Sequence, residues 1–282
     1  MSLIKPKRIE DYLIFYLKKG STRCLDLVMK IQEIRPGTTK QAVYSALRLL
    51  RDEEQIIIAK GLASLNLSWI NEMTTFFELT KDNYLADSGS GSFLDLEDNE
   101  RIKYYFNNTH KADIFWTHAY YLLIEQLKSG EPIFLYNPHE WFLLARTANE
   151  ISVYNTAIKK NHPVLVTAGN NTFLDKYVLK YFDGTMRQCN TLSKPIFKEN
   201  NYYINIFGDF LLEAWLDKDI ANKIEDLYKT TNDYDDVTKE AFQNILEIEG
   251  RMRIVISRNH KKTLRLKKSL AKGFAIKKEQ RP

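Results

Sequence analysis

The chain has 282 residues, 44% hydrophobic and 27% charged, with 11 Gly and 7 Pro, a globular composition long enough for two domains. No apolar run approaches the roughly 20 residues of a membrane span, and "MSLIKPKRIEDY" has no signal-peptide core. Two cysteines, Cys24 and Cys189, supply neither a disulfide framework nor zinc spacing, so a cytoplasmic protein without cofactor or metal is expected. The net charge of +5 conceals three blocks: residues 1–80 carry 12 basic and 9 acidic side chains, 81–250 carry 17 and 26, and 251–282 carry 12 and 1. Basic ends around an acidic middle point to an anionic partner for the ends.

In chain order, Ile9 to Lys19 reads as a helix with Tyr12, Leu13, Phe15, Tyr16 and Leu17 on a broad apolar face, closed by Gly20. Ser21 or Thr22 can cap a second helix, running to about Ile34 and buried through Leu25, Val28, Met29 and Ile31. After the turn Arg35-Pro36-Gly37, Thr38 to Gln41 reads as a capping box in which Thr38 accepts from the Gln41 N–H. In the helix that follows, Val43, Ala46, Leu47 and Leu50 form one buried stripe. Its other face carries Lys40, Gln41, Tyr44, Ser45, Arg48 and Arg51, residue types that bond phosphates and base edges. "QIIIAK" and "LNLSWI" read as two strands, turned at Lys60 to Ser64. Helix, helix, helix and hairpin make the winged helix-turn-helix plan. A surplus helix follows over Trp69 to Tyr84, of the kind that packs on its own domain or on a second protomer.

Asp87 to Ser92, "DSGSGS", is the clearest linker. Beyond it helices and strands alternate: a helix over Asp113 to Lys128, strand "PIFLYN", a long helix over Glu140 to Lys160, strand "HPVLVTAG", helix "TFLDKYVLKYF" and strand "MRQCNTL". Then come a hairpin turned at Gly208-Asp209, two helices, strand "RMRIVIS" and a basic helix. The pattern implies an α/β domain with a mixed sheet. The expected organisation is a winged helix over 1–85, a linker over 86–100, an α/β effector or oligomerisation domain over 101–250, and a basic strand-helix tail over 251–282.

The stretch from Arg35 to Ile70 resembles the winged-helix domains of bacterial and archaeal regulators such as the PadR, PaaX and TrmB groups. These share the pattern [ST]-x-x-x-[VL]-Y-x-x-L-x-x-L, matched here by Thr39, Val43, Tyr44, Leu47 and Leu50. The resemblance covers about 70 residues and implies that the first turns of the third helix enter the major groove. Thr38, Thr39, Lys40, Gln41, Tyr44, Ser45 and Arg48 are then the contact residues, with Lys60 at the wing. Residues 131 to 230 resemble half of a phospholipase D-like fold. That family's His-x-Lys-x4-Asp motif is missing: "PIFKENNYYINIFGD" has no histidine, and Lys198 and Asp209 are wrongly spaced. The resemblance implies a non-catalytic body of the kind TrmB-type sensors use to bind an effector.

No nucleophile elbow, phosphate loop or zinc spacing is visible, and no catalytic residue is assigned. His139 in "YNPHEWF" ends a strand and opens a helix, a place where ligands bind, so Asn137, His139 and Trp141 mark the expected effector pocket. Capping or packing is the plainer role for His139, because the adjacent Glu140 side chain points elsewhere on a helix. The aromatic load could stack bases, but its spacing fits core packing better. In the tail, Arg258, Lys261, Lys262, Arg265 and Lys268 can neutralise DNA phosphates; docking on the acidic middle or on an anionic membrane are the alternatives. The chain is thus expected to be a dimeric prokaryotic transcription regulator binding double-stranded DNA, with a small-molecule effector and no membrane partner. A nucleic-acid-processing enzyme or defence protein that uses the winged helix for targeting is the alternative, and a pure adaptor is a third.

Overall fold

A computed structural model describes residues 6–86 and 92–276. They divide after Ala86 into two compact units. The first contains α1 (Ile9–Leu17), β1 (Thr22–Arg23), α2 (Cys24–Ile34), α3 (Lys40–Asp52), β2 (Ile56–Ala59), β3 (Leu62–Leu65) and α4 (Leu67–Ala86). Leu13, Leu27, Ile31, Val43, Leu47 and Leu50 form its core, and each such side chain contributes about 1.5–3 kcal/mol by leaving water. The α3 stripe is buried as its spacing predicts: Val43, Ala46, Leu47 and Leu50 are all at most 4% exposed.

Four local expectations are corrected here. The cap of α3 is Thr39, whose hydroxyl accepts from Ala42 N at 3.1 Å; Thr38 lies one residue outside, and its carbonyl accepts from Gln32 Nε2 instead. Ser21 and Thr22 do not cap α2. Thr22–Arg23 instead pair with Ala63 and Leu62, adding a third strand in the order β1-β3-β2. Starting α2 at Cys24 puts Cys24, Leu27, Val28 and Ile31 on the inner stripe and leaves Leu25 and Met29 half exposed, at 52% and 55%. The second hairpin strand is Leu62–Leu65, earlier than expected. Ala59 pairs with Leu62, so Lys60 and Gly61 alone make the turn, with φ of 50° and 76°, the left-handed pair that a two-residue hairpin requires. Asn66 Oδ1 then accepts from Ser68 N and starts α4.

The second unit contains β4 (Arg101–Asn108), α5 (Thr109–Ile124), β5 (Ile133–Asn137), α6 (Trp141–Ala145), α7 (Thr147–Lys159), β6 (Val164–Ala168), α8 (Phe173–Tyr177), β7 (Arg187–Thr191), β8 (Tyr202–Phe207), β9 (Phe210–Trp215), α9 (Lys218–Thr230), α10 (Asp236–Leu246), β10 (Glu249–Arg258) and α11 (His260–Leu270). The expected mixed sheet is present, with seven strands in the order β4-β10-β9-β8-β5-β6-β7. β5, β6 and β7 run parallel, and the remaining neighbours are antiparallel. β5 and β6 are buried at every position, as continuous apolar runs in a covered parallel sheet should be. Asp235 caps α10: its Oδ1 accepts from Thr238 N at 2.8 Å.

Three larger expectations change. Of the linker expected over 86–100, residues 87–91 fall outside the described residues. From Ser92 the chain is packed, with Phe93 1% and Leu96 7% exposed. An edge strand that the sequence reading passed over, β4, follows at once. The helix over Glu140 to Lys160 is two helices, broken at Arg146 (φ −143°, ψ 50°), whose guanidinium turns to Asp113 and Glu150. Finally, the described part of the expected 251–282 tail, residues 251–276, is not an appendage. β10 lies inside the sheet between β4 and β9, and α11 buries Leu266 and Leu270 against Phe134, Tyr136, Leu165, Ile204 and Ile206.

Candidate nucleic-acid interface and a buried polar cluster

The outer face of α3 follows from its inner one. With Val43, Ala46, Leu47 and Leu50 fixed inward, helical geometry turns Lys40, Gln41, Ser45 and Arg48 outward, and all four are exposed, with Tyr44 half buried beside them. Arg48 Nη2 donates to Ser45 Oγ at 3.3 Å, and the Lys40 ammonium lies 5.9 Å from the Tyr44 ring centroid. These are weak, exposed contacts that a ligand can replace. Thr39 is spent as the cap, which fixes where the helix begins.

Beside this face the hairpin and β1 close a groove of about 510 Å³, lined on its polar side by Arg23, Tyr44, Arg48, Arg51 and Lys60. Lys60 stands at the tip of the turn and is exposed. Sequence reasoning missed Arg23. It looked like a residue inside a helix, but its pairing with Leu62 brings it to the groove. Arg51 Nε and Nη2 are held by Asp52 Oδ1 at 3.0 and 2.8 Å.

The basic residues near the C-terminal end divide into two groups. Lys261, Arg265 and Lys268 are exposed on the outer side of α11. Lys262 is not available as a phosphate contact: its Nζ bonds both oxygens of the buried Glu213 at 2.8 and 2.9 Å. Glu213 also accepts a short bond from Tyr202. Arg258 is likewise engaged, donating to Leu96 O at 3.2 Å with its guanidinium 5.4 Å from the Phe210 ring centroid.

The three residues assigned to an effector pocket separate. Trp141 is 0% exposed and stacks at a tilt on Phe142, so it is core. His139 is 2% exposed and fully engaged. Its Nδ1 lies 2.9 Å from Asp175 Oδ1, its Nε2 lies 3.1 Å from Glu225 Oε2, and its ring stacks on Tyr228 with centroids 3.9 Å apart. Burial lowers the His139 pKa, but the bonds to Asp175 and Glu225 and their charges outweigh it, so the net shift is upward. Asn137 alone of the three lines a cavity, a space of about 50 Å³ faced also by Asp113, Trp116, Tyr120, Glu140 and Glu150. Asn137 donates to Glu140, and Tyr154 Oη donates to its other oxygen at 2.8 Å. Asp175 and Glu225 lie 36 and 86 residues from His139, and no local spacing announced them.

Among the described residues no group of three or more His, Cys, Asp or Glu side chains could hold a metal ion. No helix among them is long and apolar enough to cross a membrane. No protein-family model matches the chain, and no curated protein matches it.

Proposed function

We propose that residues 6–86 form a winged helix-turn-helix, with α3 as the helix that enters the major groove and the Lys60-Gly61 turn as the wing. The chain on this reading is a sequence-specific transcription regulator. One observation carries it: the outward face of α3 presents Lys40, Gln41, Tyr44, Ser45 and Arg48, with Leu49 the large apolar side chain exposed among them, and Tyr44 and Arg48 meet Arg23 and Lys60 in a basic groove. Lys and Arg there supply phosphate contacts, while Gln41 and Arg48 match adenine and guanine edges. The short hairpin tip, with its single lysine, adds little beyond orientation.

The dimer belongs to the same proposal. α4 exposes Phe76, Phe77 and Leu79 at 57%, 54% and 59%, and the two Phe rings form an edge contact 5.5 Å apart. Such apolar area on one helix suits pairing with a second copy. Two α3 helices then read half-sites about 34 Å apart. Lys261, Arg265 and Lys268 add non-specific phosphate affinity, and the α/β unit senses a ligand. A catalytic role for His139 is not part of this reading, because both ring nitrogens are occupied and the ring is closed off from solvent.

Selection of bound fragments from a random duplex pool tests the proposal. It predicts one enriched pattern made of two related half-sites. A pool that stays flat through successive rounds contradicts it.

A further inference from the structure

The cavity beneath α5, α6 and α7 plays no part in reading DNA, yet its walls are built of consistent chemistry. Aromatic rings from Trp116, Tyr120, Phe142 and Tyr154 surround it, and Asp113, Glu140 and Glu150 face it. Trp116 is fixed by donating Nε1 to Asn205 Oδ1 at 2.7 Å. Arg146 pairs with Asp113 and reaches Glu150 at 3.5 Å; His110 adds a weaker favourable charge near Asp113. Carboxyl groups therefore outnumber the arginine, and four aromatic rings, whose faces attract cations, line the same space.

Two side chains are incompletely satisfied. Glu140 has a donor on each oxygen, but Glu150 has, among the described residues, only the long bond from Arg146. Tyr120 is 2% exposed and its hydroxyl has no hydrogen-bond partner among the described residues, a state that costs free energy in a buried group. The hydroxyl can accept from an N–H donor, and Glu150 can pair with a positive one.

We infer that this cavity binds a small organic cation through a primary ammonium or guanidinium head group. The head group would be seated among the four rings, accepted by Tyr120 and paired with Glu150, and its chain would leave past the half-exposed Trp116 and Phe142. Size supports this choice over a sugar. About 50 Å³, on a measure where one water needs about 10–15 Å³, admits a head group and excludes a pyranose ring. As an effector site the inference rests on the sensing role proposed above; as a binding site it stands on the cavity alone.

Burial, with Asp113 and Glu140 nearby, pushes the Glu150 carboxyl up to about 8 despite the opposing effect of Arg146. A bound cation restores its charge and expels the proton. Binding should therefore strengthen about tenfold per pH unit as pH rises toward 8, and proton release should appear in buffers of different ionisation heat.

Isothermal titration of the full chain without DNA tests the inference, using putrescine and agmatine with 1,4-butanediol and succinate as neutral and anionic counterparts. Saturable one-to-one binding of an amine is expected, weakened about tenfold or more in Glu150→Gln and several-fold in Tyr120→Phe, with no binding of the counterparts. Tyr120→Phe preserves the ring and serves where Glu150→Gln does not fold. No heat from either amine up to about 10 mM, equal binding by both variants, or preferential binding of 1,4-butanediol or succinate overturns it. Amine binding in a chain that selects no DNA sequence would sink the regulator reading and leave the cavity assignment standing.

Discussion

His139 and Asp175 share a 2.9 Å hydrogen bond between side chains that are 2% and 0% exposed, and Glu225 closes the other side of the imidazole at 3.1 Å. The ring ties the start of α6 to α8 and α9. Its consequence is a defined dependence of stability on pH.

His139 is held above its ordinary value of 6.5 by its two carboxylate partners, so its contribution is complete below about 6.5 and fades as pH rises through the folded-state value. The hydrogen bond from His139 first, and Lys229 after it, hold the Glu225 carboxyl down at about 2. That contribution is complete above about 4.5 and is lost as pH falls toward 2. Both act together between about pH 4.5 and 6.5. His139→Gln should lose about 3 kcal/mol there, because the buried Asp175 keeps its bonds from Thr172 but loses its cationic partner. Thermal unfolding of both proteins from pH 4 to 9 should show the largest gap in that window and a narrowing gap above it. A gap independent of pH would assign the ring to packing alone.

The cap of α3 makes a sharper contrast between neighbours. Thr39→Ala removes the acceptor of the Ala42 N–H and should cost about 1 kcal/mol. Thr38→Ala leaves that bond intact and should cost little. Chemical denaturation of the two variants decides it, and equal losses would contradict the observed cap.

The basic residues of α11 separate in the same way. Lys262→Ala leaves the buried Glu213 without its cation and should destabilise the chain by about 2 kcal/mol, a value reduced for the part-exposed lysine. Replacing Lys261, Arg265 and Lys268 together by Ala should leave the melting temperature nearly unchanged. On the proposed reading it should also flatten the dependence of DNA affinity on salt by about one unit of slope per lost phosphate contact. A stable Lys262→Ala protein, or an unchanged slope in the triple variant, would reverse the assignment of these residues.

How far the sequence could be read depended on the range of the interaction. The stripe Val43, Ala46, Leu47, Leu50 and the turn at Gly208-Asp209 are written in adjacent residues, and both appear where their spacing puts them. Arg23 and Lys262 were misplaced because tertiary partners decide them: Leu62 draws Arg23 into a strand, and Glu213 draws Lys262 inward. "RIKYYFNN" alternates as a half-buried strand should, but its charges and its place after the linker hid it. The clamp on His139 unites residues up to 86 positions apart, beyond any local pattern. The basic run after Arg251 was legible as charge. Its apolar positions, Leu266 and Leu270, held the information that the helix belongs to the body.

The central claim of the proposed reading is that α3 reads bases through Gln41, Tyr44 and Arg48, of which Gln41 and Arg48 are exposed and Tyr44 is half buried. Fluorescence anisotropy should compare the wild type with the variant carrying Gln41→Ala, Tyr44→Ala and Arg48→Ala, on a duplex recovered by selection and on a shuffled one. With about 1–3 kcal/mol lost per base contact, affinity for the selected duplex should fall about a hundredfold or more, while affinity for the shuffled duplex changes only a few-fold. An equal loss on both duplexes, or none on either, would contradict the claim.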